Sequence, residues 1–339
     1  MLINPLDLDS GDRQVSDQQI VVIGAGIIGL TTARVLQQAG HRVQIISAEL
    51  PLNTTSVAAA AFWYPSDSEP KEDVLRWGLK THQTFKELKE EGVAGITLER
   101  ALEVHPDPTW HPWWLNVVAN PRKADLAELP PPVAGGSGYW FDTLVIDTTV
   151  MLKWLMEQFS AAGGAFVQQK LNNITEIASQ TEIIVNCSGV GARDLVGDSE
   201  LYATRGQTLK IRRKPEHRAV WEMSTKPLVT HIIPREADTV IGGVFQEHNY
   251  SRVVDPLDSE GILQRCRNLQ PTLGTLNESD ILSVSVGLRP TRARLRLESE
   301  KLLSGSTVIH NYGHGSCGWS LSWGCAEAVR GQVQGMLPL

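Results

Sequence analysis

The fold of this chain is decided by residues 20–30, which read Ile-Val-Val-Ile-Gly-Ala-Gly-Ile-Ile-Gly-Leu. The first four residues are apolar and mostly β-branched, a pattern that predicts a buried strand. Gly24, Gly26 and Gly29 follow with the spacing of a dinucleotide-binding turn. The first glycine permits the tight turn, the second lets the backbone approach a pyrophosphate, and the third allows close helix packing. The stretch therefore predicts a strand, a phosphate-binding turn and a helix.

The residues after the turn extend this pattern. The predicted helix ends at Gly40, and residues 41–47 predict a second strand. Glu49 follows that strand, where an acid can hydrogen-bond an adenosine ribose. A glycine-rich turn that binds nothing is the alternative, and the motif does not distinguish NAD from FAD.

Length and charge limit the classes of protein. The chain has 339 residues, enough for two domains, and a net charge of −7 with no basic run, which argues against nucleic acid as a partner. No apolar segment has the length of a membrane span, the N-terminus lacks a secretory signal, and the C-terminus has no peroxisomal signal. We expect a cytoplasmic protein whose residues 1–17 form a loose arm.

The cysteines do not indicate a metal or redox site. Cys187, Cys266, Cys317 and Cys325 form no closely spaced pair. We therefore expect reduced or buried thiols, no disulfide framework and no bound metal.

Residues 53–65 combine a polar start with a run of alanines. Small side chains let backbone amides approach a ligand, and Thr54 and Thr55 can donate to its oxygens. A short alanine-rich helix packed in the core is an equally good interpretation.

The remaining chain alternates between two kinds of pattern. Residues 73–91 predict an amphipathic helix, with Leu75, Leu79, Phe85 and Leu88 near one face. Residues 96–118, rich in tryptophan and proline, indicate antiparallel sheet. Asp147 has the position of a helix N-cap, and the strand at 182–187 leads into a second glycine-bearing turn at 186–192.

Several segments together resemble the D-amino-acid oxidase family of flavoproteins, which includes the D-aspartate oxidases. The most specific is residues 310–315, His-Asn-Tyr-Gly-His-Gly, followed by Trp-Gly at 323–324. The segments that carry the resemblance are 21–30, 54–65, 185–189, 205–207, 231–234, 287–292 and 310–324.

The resemblance implies a mixed α/β fold. A Rossmann-like FAD-binding domain of glutathione-reductase type, formed by residues 18–92, 140–200 and 284–339, would be interleaved with a mostly antiparallel substrate-binding domain, residues 93–139 and 201–283. It also implies a homodimer with non-covalently bound FAD. In the implied reaction a D-amino acid loses hydride from Cα to flavin N5, dioxygen is reduced to hydrogen peroxide, and the imino acid hydrolyses to a 2-oxo acid and ammonia. No side chain is needed as a general base, because the flavin supplies the chemistry.

The resemblance assigns roles to individual residues. Arg289 would pair with the substrate carboxylate in a bidentate fork. His231 replaces the tyrosine usual at that position and could donate to the same carboxylate. The cofactor-binding residues it implies are Gly24, Ala25, Gly26, Ile27, Ile28, Gly29, Glu49, Thr54, Thr55, Ala59, Ala60, Leu171, Ser188, Gly189, Gly315, Gly318, Trp319 and Ser320.

The side-chain pocket departs from both branches of the family. Ser316 is similar to the residue that D-aspartate oxidases have at that position. Phe245, however, occupies the position where those enzymes have an arginine that binds the second substrate carboxylate. Phe62, Tyr64 and Phe245 indicate an aromatic pocket for neutral side chains, with weak activity on D-aspartate. Glu222, in the segment that corresponds to the lid of some relatives, could attract a basic side chain at the entrance.

Other functions remain open. A glycine or sarcosine oxidase would share the glycine turn but lack the match at 310–315. An NAD-dependent dehydrogenase would not purify as a yellow protein. A flavin-binding protein without turnover would have no need of Arg289.

Overall fold

The computed structural model describes residues 19–65, 67–276 and 278–336. The predicted N-terminal arm, residues 1–17, lies outside these ranges. Within them the strands are β1 (Gln19–Ile23), β2 (Arg42–Ser47), β3 (Ile96–His105), β4 (Ala119–Lys123), β5 (Ser137–Ile146), β6 (Ala165–Gln168), β7 (Ile183–Asn186), β8 (Tyr202–Arg212), β9 (Ala219–Glu222), β10 (Thr230–Pro234), β11 (Asp238–Gly242), β12 (Gln246–Glu247), β13 (Ile281–Lys301) and β14 (Thr307–His314). The helices are α1 (Ile27–Gln38), α2 (Lys71–Glu90), α3 (Thr148–Ala161), α4 (Thr175–Ala178), α5 (Ala192–Leu195), α6 (Pro256–Leu269) and α7 (Gly318–Met336).

The opening motif forms the predicted strand, turn and helix. Gly24 follows β1 with a φ of 106°, a conformation that favours glycine. At Gly29 a Cβ atom would lie 1.9 Å from the carbonyl oxygen of Gly24. Only glycine therefore lets α1 pack this close to the end of the strand.

One continuous sheet has a parallel section and a largely antiparallel section. Its order is β4-β5-β3-β9-β10-β11-β8-β13-β14-β7-β1-β2-β6, and β12 pairs with β8. From β14 to β6 all pairs are parallel. Between β4 and β14 the pairs are antiparallel except for β3 with β9. The mixed α/β fold class is thereby confirmed.

The long strand β13 joins the two sections. Its residues 281–291 pair with β8, and its residues 291–301 pair with β14. The predicted domain boundaries at 140 and 284 fall inside β5 and β13, so each divides a continuous strand.

Helices cover the parallel section and bury its apolar side chains. Helix α1 packs against α3 and α7, and α2 packs against α7. At Gly324 a Cβ atom would lie 2.1 Å from the carbonyl oxygen of Trp77, so α7 and α2 are in backbone contact there. Phe85, Phe159 and Leu36 are fully buried in the core between these helices and the sheet.

Local predictions had mixed outcomes. Asp147 caps α3 as predicted, since its side chain accepts from the backbone N–H of Thr149 and of Val150. The predicted face of α2 is partly wrong, because Val74, Trp77, Thr81 and Phe85 are its buried side chains and Leu79 is 45% exposed. The tryptophan-rich segment is not sheet throughout: residues 113–116 form a 3₁₀ turn after Pro112 that buries Trp114.

The described ranges hold neither a candidate membrane span nor a disulfide. No helix there combines the length and apolarity needed to cross a membrane. No disulfide joins the cysteines, and Cys187, Cys266 and Cys325 are buried.

Candidate functional site

A cavity of about 1020 Å³ lies where β1, β2, β7 and β14 end and where β8, β10 and β13 pass. Its volume is at the upper end of the range for small-molecule and cofactor sites. The carboxyl edge of a parallel sheet is where such folds bind ligands. The predicted residues that line it are Gly24, Ala25, Gly26, Ile27, Ile28, Glu49, Thr54, Thr55, Ala59, Ala60, Phe62, Tyr64, Leu171, Ser188, Gly189, His231, Arg289, Gly315, Ser316, Gly318, Trp319 and Ser320.

The N-terminus of α1 opens onto this cavity. The backbone N–H of Ala25 donates to Ser47 Oγ at 3.2 Å, and that of Ile27 donates to Ser56 Oγ at 2.9 Å. A Cβ on Gly26 would lie 2.9 Å from Ser56 Oγ, so a side chain there would intrude on this contact. A helix N-terminus preceded by a glycine, whose backbone is not covered by a side chain, suits a pyrophosphate.

The alanine-rich segment is a wall of the cavity rather than a core helix. Residues 55–58 make one 3₁₀ turn, and Ala58 to Ala61 then line the cavity. Thr55 Oγ1 donates to the carbonyl of Leu288 at 3.2 Å, which attaches the segment to β13. Thr54 Oγ1 donates to the carbonyl of Pro51 at 2.7 Å. The interpretation in which small side chains face a ligand is therefore the better one.

The turn between β14 and α7 forms the opposite wall. Gly315 has a φ of 56°, and α7 begins at Gly318 with its N-terminus at the cavity. Trp319 Nε1 donates to the carbonyl of Ser56 at 3.0 Å, and Ser320 Oγ accepts from the backbone N–H of Tyr64 at 3.1 Å. These bonds fix the turn against the alanine-rich segment.

The acid predicted for the ribose has a protein partner. Glu49 lines the cavity after β2 and forms an ion pair with Arg252, which also lines it. A ribose hydroxyl would thus meet Glu49 beside a guanidinium that competes for the same oxygens.

Arg289 contributes an unneutralised positive charge to the wall. Its Nη1 donates to the carbonyls of Arg205 at 3.3 Å and Val244 at 3.1 Å, and its Cζ lies 5.2 Å from the ring centroid of Phe245. Within the described ranges it forms no ion pair with a carboxylate. Burial lowers its pKa to about 10, so it stays protonated at pH 7. Such a group favours an anionic ligand.

His231 lies on the same wall as a neutral imidazole. It is 5% exposed, and neither ring nitrogen has a hydrogen-bond partner in the described structure. Burial, Arg289 and two further arginines lower its pKa to about 3. A Cβ on Gly242 would lie 2.5 Å from the ring, so this glycine makes room for it. A neutral ring with a free N–H can donate to a carboxylate.

Three predicted residues do not line the cavity. Gly29 packs against the turn instead of touching the ligand space. Phe245 stands behind the wall, where its ring centroid is within cation–π distance of both the guanidinium of Arg289 and the ammonium of Lys226, whose Nζ is 4.6 Å away. Glu222 is not at an entrance: it is buried on β9.

Glu222 is held in place by its own loop. Its Oε1 accepts from the backbone N–H of Ser224 at 2.7 Å and also from the hydroxyl of Ser224. The predicted attraction of a basic substrate side chain by Glu222 is therefore not supported by its position.

Other residues at the cavity had no predicted role. His314 lies in the quoted 310–315 segment, is 4% exposed, and leaves Nε2 without a partner. Its position at the end of an apolar run and between two glycines was a usable signal. Ser47, Ser56 and Arg252 also line the wall, but isolated loop residues carry no comparable pattern.

These features fit FAD together with a small anionic substrate. The cavity joins the α1 N-terminus, which suits a pyrophosphate, to the α7 N-terminus and to Arg289. The partnerless nitrogens of His231 and His314 show that the wall has polar groups that its own side chains do not satisfy.

Comparison with known proteins agrees with this geometry. The family model for FAD dependent oxidoreductases matches residues 19–331. A D-amino-acid oxidase from Rubrobacter xylanophilus is 37% identical over 308 residues, covering 91% of this chain and 93% of that protein. A human D-aspartate oxidase is 33% identical, covering 92% and 94%. The solved glycine oxidase from Geobacillus kaustophilus shares the fold with a TM-score of 0.78 at 18% identity, over 95% of this chain and 96% of that one. The chain therefore belongs to the family of FAD-dependent oxidoreductases.

Proposed function

We propose that this enzyme catalyses the FAD-dependent oxidative deamination of D-amino acids with neutral side chains. One observation carries the proposal: Arg289, protonated and without an ion-pair partner in the described structure, stands on the wall of the cavity that fits FAD. Relatives named as D-amino-acid oxidases, at 34 to 37% identity, support the same reaction.

Two side chains would hold the substrate carboxylate. Arg289 offers a planar guanidinium that matches both carboxylate oxygens, and His231 offers a neutral N–H. Because Nη1 of Arg289 is already held by two carbonyls, its orientation is fixed before the substrate arrives. This preorganisation reduces the entropy lost on binding.

The protonation states on the wall support a reaction without a general base. The pKa values of His231 and His314 are both lowered to about 3 by burial. Imidazoles with such values are poor proton acceptors at pH 7. The protein would bind and orient the amino acid and exclude water, while bound FAD supplies the two-electron oxidation. We propose dioxygen as the final acceptor, giving hydrogen peroxide, ammonia and a 2-oxo acid.

We also propose weak activity on D-aspartate, although a D-aspartate oxidase is among the relatives. Phe62, Tyr64 and Met223 line the cavity, and Phe245 stands behind Arg289. A second substrate carboxylate among these groups would lose its hydration without gaining a partner. D-Alanine and D-methionine should have higher kcat/KM than D-aspartate.

The direct test is a peroxide assay over paired D- and L-amino acids. The protein should be yellow as purified. With FAD added to the assay, it should release peroxide with neutral D-amino acids but not with their L-enantiomers. Oxidation of glycine or sarcosine in preference to D-alanine would favour a related amine oxidase. Flavin without turnover on any of these compounds would favour a non-catalytic flavin-binding protein.

The homodimer and the cytoplasmic location remain predictions. Light scattering coupled to gel filtration would measure the mass of the holoenzyme, with twice 37.3 kDa expected for the dimer.

A further inference from the structure

A buried carboxylate lies behind the side-chain end of the cavity. Glu103 is in β3, flanked by the buried apolar residues Leu102 and Val104, and is itself 5% exposed. It does not line the cavity, and the proposed reaction does not use it. A carboxylate in such surroundings needs hydrogen bonds to offset its lost hydration.

Those bonds come from Tyr64, which does line the cavity. The Tyr64 hydroxyl donates toward Glu103, 3.0 Å from Oε1 and 2.8 Å from Oε2. It also accepts from Trp114 Nε1 at 2.8 Å. The hydroxyl proton is therefore donated to Glu103. Tyr64 presents its aromatic ring to the cavity and not a hydrogen-bond donor.

The ring is held from several sides. Trp221 lies opposite Glu103 on β9, makes an edge contact with Tyr64 at 6.0 Å between centroids, and stacks on Phe62 at 4.3 Å. Since Phe62 and Tyr64 both line the cavity, one cluster behind the wall sets the positions of both rings.

We infer that Glu103 is a positioning residue for substrate selection: by holding the Tyr64 hydroxyl it keeps an apolar wall turned toward the substrate side chain and so favours large apolar D-amino acids. This inference rests on the proposed function and concerns the same cavity. Releasing Tyr64 would let its ring move, and a ring without a fixed position would weaken contacts with a large apolar side chain more than contacts with the methyl group of D-alanine.

The charges around Glu103 make the effect dependent on pH. In the described structure, three titratable groups lie around it. Tyr64 is its hydrogen-bond partner, Tyr139 is its register partner on β5, and Glu222, which pairs with Val104 on the adjacent β9, is a neighbouring carboxylate. Burial raises the pKa of Glu103 to about 7, Glu222 adds to this rise, and the bond from Tyr64 opposes it. Cys317 lies near Tyr64 on the cavity side. Above pH 7 the ionised carboxylate accepts charge-assisted bonds, and below it these weaken.

The test compares D-phenylalanine with D-alanine in the holoenzyme, from pH 5.5 to 8.5. The ratio of their kcat/KM values cancels effects on the carboxylate and the amine, which both substrates share. Variants Glu103→Gln, Tyr64→Phe and the double variant are measured beside Glu99→Gln, which changes another acid of β3 that lies outside the cavity wall. Binding of the desamino analogues, 3-phenylpropionate and propionate, is followed by flavin absorbance and needs no turnover.

In the wild type the ratio should fall as pH drops through 7. Glu103→Gln and Tyr64→Phe should each lower it about threefold to tenfold at pH 8 and make it independent of pH. The double variant should add nothing to Tyr64→Phe, because Tyr64→Phe removes the same hydrogen bond that Glu103→Gln weakens by removing the charge. The analogue-binding ratio should follow the same pattern, and Glu99→Gln should match the wild type.

An unchanged ratio in both single variants, or additive effects in the double variant, would overturn the inference. Tyr64→Phe decides the matter alone if Glu103→Gln does not retain FAD. A wild type that oxidises no D-amino acid would instead contradict the proposed function, and analogue binding would still report whether Glu103 controls the pocket.

Discussion

Replacing Arg289 by methionine should remove most of the substrate affinity and leave the cofactor bound. The guanidinium is held by two backbone carbonyls and has no ion-pair partner in the described structure, so a carboxylate ligand would be its neutralising group. Truncating one partner of a buried, hydrogen-bonded charge pair costs about 2–5 kcal/mol. At about 1.4 kcal/mol for each factor of ten, kcat/KM for D-alanine should fall about 30-fold to 5,000-fold.

The position of His231 narrows this range. Its neutral ring can still donate one hydrogen bond to the carboxylate, which argues against the largest losses. We expect a loss of about 10² to 10³, mostly as a higher KM. Arg289→Lys keeps the charge without the planar fork and should lose about tenfold.

Steady-state kinetics with D-alanine, flavin absorbance after gel filtration and a thermal melt measure the three consequences. The matched control is Arg294→Met, since Arg294 is on the same strand but exposed and away from the cavity. Because Arg289 has no counter-ion to lose, its variant should melt at or above the temperature of the wild type. A KM within threefold of the wild type would refute the carboxylate assignment, and loss of FAD would show that Arg289 serves the cofactor instead.

Three further predictions concern the turn, the buried histidine and a helix cap. Gly29→Ala should lower FAD affinity at least tenfold in a fluorescence titration, because its Cβ would lie 1.9 Å from the carbonyl of Gly24; Gly331→Ala, in open space on α7, should bind FAD normally. The folded pKa of His231 is about 3 against 6.5 when unfolded, so the unfolded state binds the extra proton between these values and stability falls as pH drops below about 6.5. Urea unfolding at pH 7 and pH 5 should show a smaller loss in His231→Gln, and an equal loss would count against this origin. Asp147→Ala should cost about 1 kcal/mol by removing the α3 cap, and an unchanged urea midpoint would contradict it.

The parts of the site that follow local backbone rules were predictable from sequence. Gly24 and Gly29 are required by a turn and a close packing contact that a short stretch of chain determines. Arg289 was identified through the resemblance, which assigns it to the substrate carboxylate. The resemblance added the cofactor and connected residues far apart in the chain.

Contacts across the sheet were not predictable in the same way. Glu222 has the negative charge that would attract a basic side chain at an entrance. Its carboxylate, however, points toward its own loop, where it accepts hydrogen bonds from Ser224. Phe245 stands behind Arg289, because packing and not residue type decides which side of a wall a ring occupies. Glu103 interrupts an apolar run, which marks it as unusual, yet its partner Tyr64 is known only once the fold brings them together.

The continuity of β13 has a consequence for how substrate enters. One half of this strand carries Arg289 beside β8, and the other half pairs with β14, whose end forms the turn at Gly315. Neither half of the sheet can move relative to the other without bending or breaking this shared strand, whose pairing with β14 is irregular between Thr291 and Arg296. The substrate anchor and the cofactor wall are therefore attached to one and the same strand. We expect substrate entry to depend on side chains and loops around this strand more than on the opening of two domains.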